Sequence, residues 1–241
     1  MLVIGRSTRL SRYVTDLDKS YAATARFGAV SDTLDAEGNI SPLDAPMPGE
    51  ESLRAAIKRF TGDLLQTPPM ASAVKVGGER LYKAHRRGET VERESRPVKI
   101  HSLSLTHLDA ASKTAAFEVS CSSGTYVRTL VADLAASLGT GAYLTALRRQ
   151  SVGHLRLEHA ISLDDLTETT IYNHIIQTNE VAAHLPVVRV SGKVGRRVCT
   201  GGALEASGIE GPYRVMSGHE LLAVYRDAGD EARPEVVLCG G

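Results

Sequence analysis

Three groups of residues carry side chains able to act on an anionic partner. The first is Arg128. In CSSGTYVRTL (121–130) and the residues after it, Val127, Leu130, Val131, Leu134 and Leu138 recur at helical spacing, and Gly139 supplies a stop. That spacing puts Arg128 in the first turn of a helix. There the unpaired N–H groups and the macrodipole already make the field positive, disfavouring an exposed cation by about 0.3–1 kcal/mol. An anion is therefore expected beside Arg128. A helix start with an arginine, with Tyr126 just before it and Tyr21 at a strand position, can hold a phosphate or a carboxylate. On its own, a tyrosine on a strand is ordinary core packing.

The second group is Lys75, Arg80, Lys83, Arg86, Arg87, Arg93, Arg96 and Lys99, mixed with Tyr82 and His85. A basic, aromatic-bearing arm suits phosphate contacts. The same stretch also holds Glu79, Glu89, Glu92 and Glu94, so a charge-balanced, solvated helix face is the alternative. The third is Leu147-Arg148-Arg149, which taken alone reads as the end of a surface helix. Together the three describe a basic, aromatic-lined cleft that lacks a nucleophile.

Other chemistries find no footing. Lysine plus arginine equals aspartate plus glutamate at 28 each, so only local clustering of charge can inform. The sequence has no G-x-x-x-x-G-K loop and no G-x-S-x-G elbow, and its eight histidines show no H-x-x-x-H pairing. Neither a metal nor a cofactor is expected. Cys121, Cys199 and Cys239 are scattered, odd in number and without a C-x-x-C pair, which suits a reducing compartment such as the cytoplasm. No apolar run reaches the roughly 18–20 residues that cross a bilayer.

The elements that must position these residues follow from periodicity. Leu2 to Ile4 reads as a strand, entered without a cap. Alternation at Tyr21, Ala23, Ala25 and Phe27 predicts another, ending at Gly28. ESLRAAIKRFTG (51–62) predicts a helix capped by Ser52, with Leu53, Ile57 and Phe60 on one face. From Thr67 a Pro-Pro, a Gly-Gly and a scarcity of core positions predict a protruding excursion, residues 67–97. In VKIHSLSLTHL (98–108) Val98 and Ile100 share one register and Leu103 and Leu105 the other, which predicts a bulge near His101. AAFEVSC (115–121) alternates as an antiparallel strand and runs into the Arg128 helix. ISLDDL (161–166) is helix-like. After Leu185-Pro186, the segments PVVRV, PYRVM and LLAVYR predict a small C-terminal β-barrel.

Three stretches in one order carry a resemblance: DKSYAATARFGAVSDTLDAEG (18–38), QTPPMASAVKVGGERLYKAHRRGETVERESRPVKI (66–100) and CSSGTYVRTLVADLAASLGTGAYLTALRRQSVG (121–153). Together they resemble the bacterial TruB-type tRNA pseudouridine-55 synthases. The resemblance implies an α+β fold: a mixed, largely antiparallel sheet with packed helices, and a small PUA-like RNA-binding barrel. It implies a catalytic domain over 1–184 with a thumb at about 67–97, the PUA-like domain over 185–241, and a cytoplasmic monomer. The partner it implies is the T stem-loop of tRNA, with no membrane association and no cofactor.

The resemblance also gives the residues roles. Tyr21 lies against the flipped uridine, and Tyr126 and Leu147 line the uracil pocket. Lys75, Arg80, Lys83, Arg86 and Arg87 belong to the thumb that grips RNA, with Arg148 and Arg149 as further RNA contacts. Ala71 departs from the larger residue usual at that point. Arg128 matches the arginine that pairs with the catalytic aspartate of a Gly-His-Thr-Gly-x-Leu-Asp-Pro motif. No Gly-x-Leu-Asp-Pro occurs in these 241 residues. Asp16, Asp18, Asp32 and Asp35 lie in a different motif. The expectation is therefore an N-terminally shortened synthase, inactive as written, with Arg128 left without its partner. The alternatives are a non-catalytic tRNA-binding protein or RNA folding helper and, more distantly, a guide-RNA-dependent relative of the dyskerin type.

Overall fold

Alternating apolar side chains build the sheet that carries the site. In the computed structural model, which describes residues 2–239, strand Lys19–Phe27 buries Tyr21, Ala23, Ala25 and Phe27 on one face. Its neighbour Thr114–Cys121 sets Val119 opposite Tyr21, Phe117 opposite Ala23 and Ala115 opposite Ala25. The six strands run in the order Leu155–Arg156, Ala142–Val152, Lys19–Phe27, Thr114–Cys121, Arg96–Asp109, Gly62–Gln66, and every pairing is antiparallel. Helices Glu50–Arg59 and Val127–Ala136 cover the buried face with Leu53, Ala56, Ile57, Leu130, Val131 and Leu134. Each large apolar side chain buried there is worth about 1.5–3 kcal/mol.

The strand Arg96–Asp109 shows why local irregularity was needed. Its register shifts between Ile100 and Ser102, at His101 as predicted, and again between Leu105 and His107. The first shift lets Val98 and Ile100 and then Leu103 and Leu105 all be buried despite their opposite parity. Helix Glu50–Arg59 starts two residues before the predicted cap: Gly49 is the N-cap, and Glu50 and Glu51 occupy the first turn, where the dipole favours them. Leu147-Arg148-Arg149 is not a helix end but lies inside strand Ala142–Val152, because pairing with Lys19–Phe27 overrides the local pattern. ISLDDL yields only the 3-10 turn Leu163–Asp165, in which Ser162 Oγ accepts from Asp164 N–H at 3.4 Å.

The chain divides into two compact units, Asp16–Leu157 and a second made of Met1–Thr15 with Glu158–Gly241. In the second unit five strands run in the order Val187–Arg189, Pro212–Ser217, Glu220–Ala228, Glu231–Val237, Leu204–Glu205, the first pair parallel. No pairing among the described residues closes this sheet into the expected barrel.

Leu2 to Ile4, expected as a strand, form none. Gly5–Leu10 is a 3-10 helix running into the α-helical turn Ser11–Thr15. Its arginines recur every three residues, the 3-10 period, and so share a face. Arg6 and Arg9 donate to the carbonyls of Leu238 and Val237 at 3.0 and 2.7 Å, and Arg12 donates to Glu235 at 2.9 Å. Leu10 and Tyr13 complete a core with Ala182, Leu185, Met216 and Val224. The scattered cysteines are not all free thiols either. The end of helix Gly192–Cys199 meets Cys239, two residues past the last strand, their Cα atoms 5.1 Å apart, and Cys199 is bonded to Cys239. Cys121 is a buried thiol whose pKa is raised by that burial.

Candidate functional site

Arg128 does lie in the first turn of its helix, Val127–Ala136, with Tyr126 as the N-cap residue. It also has the expected anion, but the carboxylate comes from Asp35, which the sequence reading had set aside. Arg128 Nη1 donates to Asp35 Oδ2 at 2.5 Å and to the carbonyl of Thr33 at 3.0 Å, and Nη2 donates to the carbonyl of Ala71 at 2.9 Å. One guanidinium thus ties the helix to the 31–39 loop and to the root of the 67–97 excursion. The side chains of Arg128 and Asp35 are only 22% and 24% exposed, so the pair is largely shielded from water.

The 31–39 loop is built to present Asp35. Asp32 closes it by accepting from the Asn39 N–H at 2.9 Å and the Asn39 amide at 2.8 Å. Gly38 is required there, since a Cβ would collide with the side chains of Ser31, Asp32 and Thr33. Asp35 Oδ1 accepts from Thr33 Oγ1 at 2.6 Å and from the Glu37 N–H at 3.1 Å. Burial alone would push the Asp35 carboxyl up. The hydrogen bonds from Thr33 and Arg128 outweigh it and hold the pKa below the usual carboxylate value.

Tyr21 and Arg149 are direct cross-strand partners, with the guanidinium carbon of Arg149 5.7 Å from the centre of the tyrosine ring, a cation–π distance. Leu147 stands opposite Ala23 and therefore shares that face, and it is 45% exposed, which leaves it open to a ligand. Tyr21 itself is 8% exposed and packs among the core residues, so only a small part of its ring is open. Arg148 projects from the opposite face of the strand, as neighbouring strand residues must. Lys19, two residues before Tyr21, has its pKa lowered by burial and then by Arg149, a perturbation that arises only once the strands pair.

The excursion is a small ordered arm. Lys75–Val76 pairs with Glu79–Arg80 across the Gly77-Gly78 turn, and helix Leu81–Arg86 follows, burying Leu81 and Ala84. Arg87 is matched by acids, donating to both oxygens of Glu79 at 2.8 Å and to those of Glu89 at 2.9 and 2.7 Å. Lys75, Arg80, Lys83 and Arg86 are exposed and make no ion pair among the described residues; Arg86 lies 5.4 Å from the Tyr82 ring centre. Of these five cations, four make no ion pair among the described residues and Arg87 is already neutralised.

Comparison with known proteins gives the constellation a context. Residues 1–127 match the TruB family pseudouridylate synthase N-terminal domain, and residues 128–186 match the tRNA pseudouridylate synthase B C-terminal domain. A tRNA pseudouridine synthase B of Burkholderia lata is 40% identical over 244 residues, covering 97% of this chain and 75% of that protein. One from Thermobifida fusca is 38% identical over 245 residues, covering 98% and 83%. Among solved structures, a chain of a Cbf5-Nop10-Gar1 complex superposes with a TM-score of 0.70 at 21% identity, over 97% of this chain and 70% of that one, a likeness of fold. No helix among the described residues is long and apolar enough to cross a membrane.

Proposed function

The chain belongs to the TruB family of pseudouridylate synthases, and from that premise we propose that it binds the T stem-loop of tRNA and takes uridine-55 as its target. The uridine is flipped out at a cost of a few kcal/mol of unstacking and enters beside Tyr126 and Leu147, against the exposed part of Tyr21. Lys75, Arg80, Lys83 and Arg86 grip the flanking phosphates, with Arg149 next to Tyr21. Isomerisation breaks the N1 glycosidic bond, rejoins C1′ to C5, and moves the C5 proton away while N1 gains one. It needs a carboxylate nucleophile oriented by Arg128 and no cofactor; these 241 residues lack the motif that carries that aspartate, so the chain as written is expected to bind without isomerising. The 67–97 arm acts as the thumb of a catalytic domain spanning 1–184. The sheet over 185–241 is a PUA-like RNA-binding domain. The protein works as a monomer in the cytoplasm, where its tRNA substrate is found.

The observation that carries this reading is Arg128: a shielded guanidinium at a helix start, held from three sides and paired with one carboxylate. One feature favours a second reading, binding without isomerisation. That carboxylate is Asp35, and the 241 residues contain no Gly-x-Leu-Asp-Pro. The test is to incubate the purified 241-residue chain with a T stem-loop transcript and to measure both affinity and pseudouridine by mass spectrometry after nuclease digestion. Binding with product supports the synthase. Binding without product supports the second reading, and no binding sinks both.

A further inference from the structure

We propose that Gln66 is a positioning residue that sets the uracil side of the cleft, an inference that rests on the function proposed above. Gln66 is the last residue of strand Gly62–Gln66 and stands immediately before the thumb. Its side chain is buried, the residue being 4% exposed. Both ends of its amide engage the backbone of one residue: Nε2 donates to the Tyr126 carbonyl at 3.1 Å, and Oε1 accepts from the Tyr126 N–H at 2.7 Å.

The pair of bonds imitates one rung of a β-ladder, although residues 66 and 126 are 60 apart in sequence. It matters because the helix Val127–Ala136 has no side-chain N-cap of its own; the Tyr126 side chain makes no capping hydrogen bond. Gln66 therefore fixes the backbone at the point where the chain enters the helix, with Tyr126 at the clamp and Arg128 two residues beyond it. Gln66 also lines a surface cavity together with Pro68, Arg96, Ser123, Gly124 and Tyr126, so the clamp sits at the wall of that cavity. A buried amide satisfied at both ends costs its full desolvation when one end is broken, so this clamp resists loosening. Small losses of register at such a site are enough to spoil orientation.

The test compares wild type with Gln66→Met, which keeps the shape but removes both bonds, and with Gln66→Glu, which removes the donor. Two properties are read: amide exchange at Tyr126 in the free protein, and the affinity ratio for T stem-loops carrying uridine or an abasic site at position 55. Gln66→Met is expected to speed Tyr126 exchange by about ten-fold or more. It should also erase the preference for uridine while abasic-loop affinity stays within about two-fold, because the thumb contacts are untouched. Gln66→Glu keeps the acceptor for the Tyr126 N–H and loses the donor to its carbonyl, so it should leave Tyr126 exchange near wild type while lowering the uridine preference, and the preference is the readout if Gln66→Met does not fold. Unchanged exchange and an unchanged uridine preference would overturn the proposal. So would parallel loss of affinity for both loops, which is the mark of a merely structural role. If wild type binds neither loop, the function reading falls instead, and Gln66 as a clamp is judged on Tyr126 exchange alone.

Discussion

Arg128 and Arg87 each reach carboxylate oxygens through the guanidinium, in settings that differ in solvent and in reach. Arg87 is 47% exposed and forks onto Glu79 and Glu89, all within one short arm. Arg128 is 22% exposed and joins its helix to two separate segments, the loop of Thr33 and Asp35 and the stretch of Ala71. The comparison teaches that an ion pair organises a protein through what it bridges and how little water reaches it. Surface pairs pay side-chain entropy for a screened attraction, whereas a shielded guanidinium that loses its anion is left with an unmet charge.

The largest effect should therefore follow from Asp35→Ala, expected to destabilise by about 1.5–3 kcal/mol in urea unfolding, the range for hydrogen bonds to charged groups. A double-mutant cycle over Arg128→Ala and Asp35→Ala should give clear coupling, and a matching cycle over Arg87→Ala and Glu79→Ala should give none that is measurable. Equal coupling in the two cycles would remove the distinction. The pH dependence has a definite sign. The Asp35 pKa is lowered in the folded state, so its contribution is complete above the unfolded value of about 3.9 and is lost as pH falls through the lower folded value. The stability gap between wild type and Asp35→Asn should hold from pH 7 to 5 and close in acid below about pH 4.

The two arginines were also unequally legible. Periodicity located the Arg128 helix, and helix electrostatics demanded an anion for it, but no local pattern can name a partner 93 residues away. Family motifs pointed to a different aspartate, and Asp35 was passed over. The arm was readable from composition, Pro-Pro and Gly-Gly, yet the sequence did not show that Arg87 alone would be neutralised. Gln66 is inconspicuous in the sequence because a polar residue before Thr-Pro-Pro fits the start of a loop. The Leu147 strand was missed because two cations after an apolar residue fit a helix end, and only pairing with Lys19–Phe27 decides otherwise. The Cys199–Cys239 bond spans 40 residues with no motif spacing. What failed in each case was long-range, and what succeeded rested on alternation, helical spacing or turn chemistry within a few residues.

A smaller effect is expected from Lys75→Ala and Arg86→Ala, which should leave stability unchanged and weaken T stem-loop binding several-fold. Each should flatten the slope of log affinity against log salt by about 0.7–0.9, the value of one phosphate contact. Filter binding between low and high salt measures both. Unchanged affinity and slope would return the arm to the solvated, charge-balanced face that its glutamates also allow.

The smallest effect is expected from freeing Arg87 of its two acids. If Arg87 is withheld from RNA only by Glu79 and Glu89, then Glu79→Gln with Glu89→Gln frees an exposed cation beside Lys83 and Arg86 and removes two charges that repel phosphate. Binding should tighten modestly and the salt slope steepen by about one contact, roughly 0.7–0.9. The unfolding midpoint should not move, because all three side chains are solvated. A fall in stability without any change in slope would mean that the Arg87 fork holds the arm together as Arg128 holds the cleft. Exposure would then be the wrong measure of what an ion pair organises in this protein.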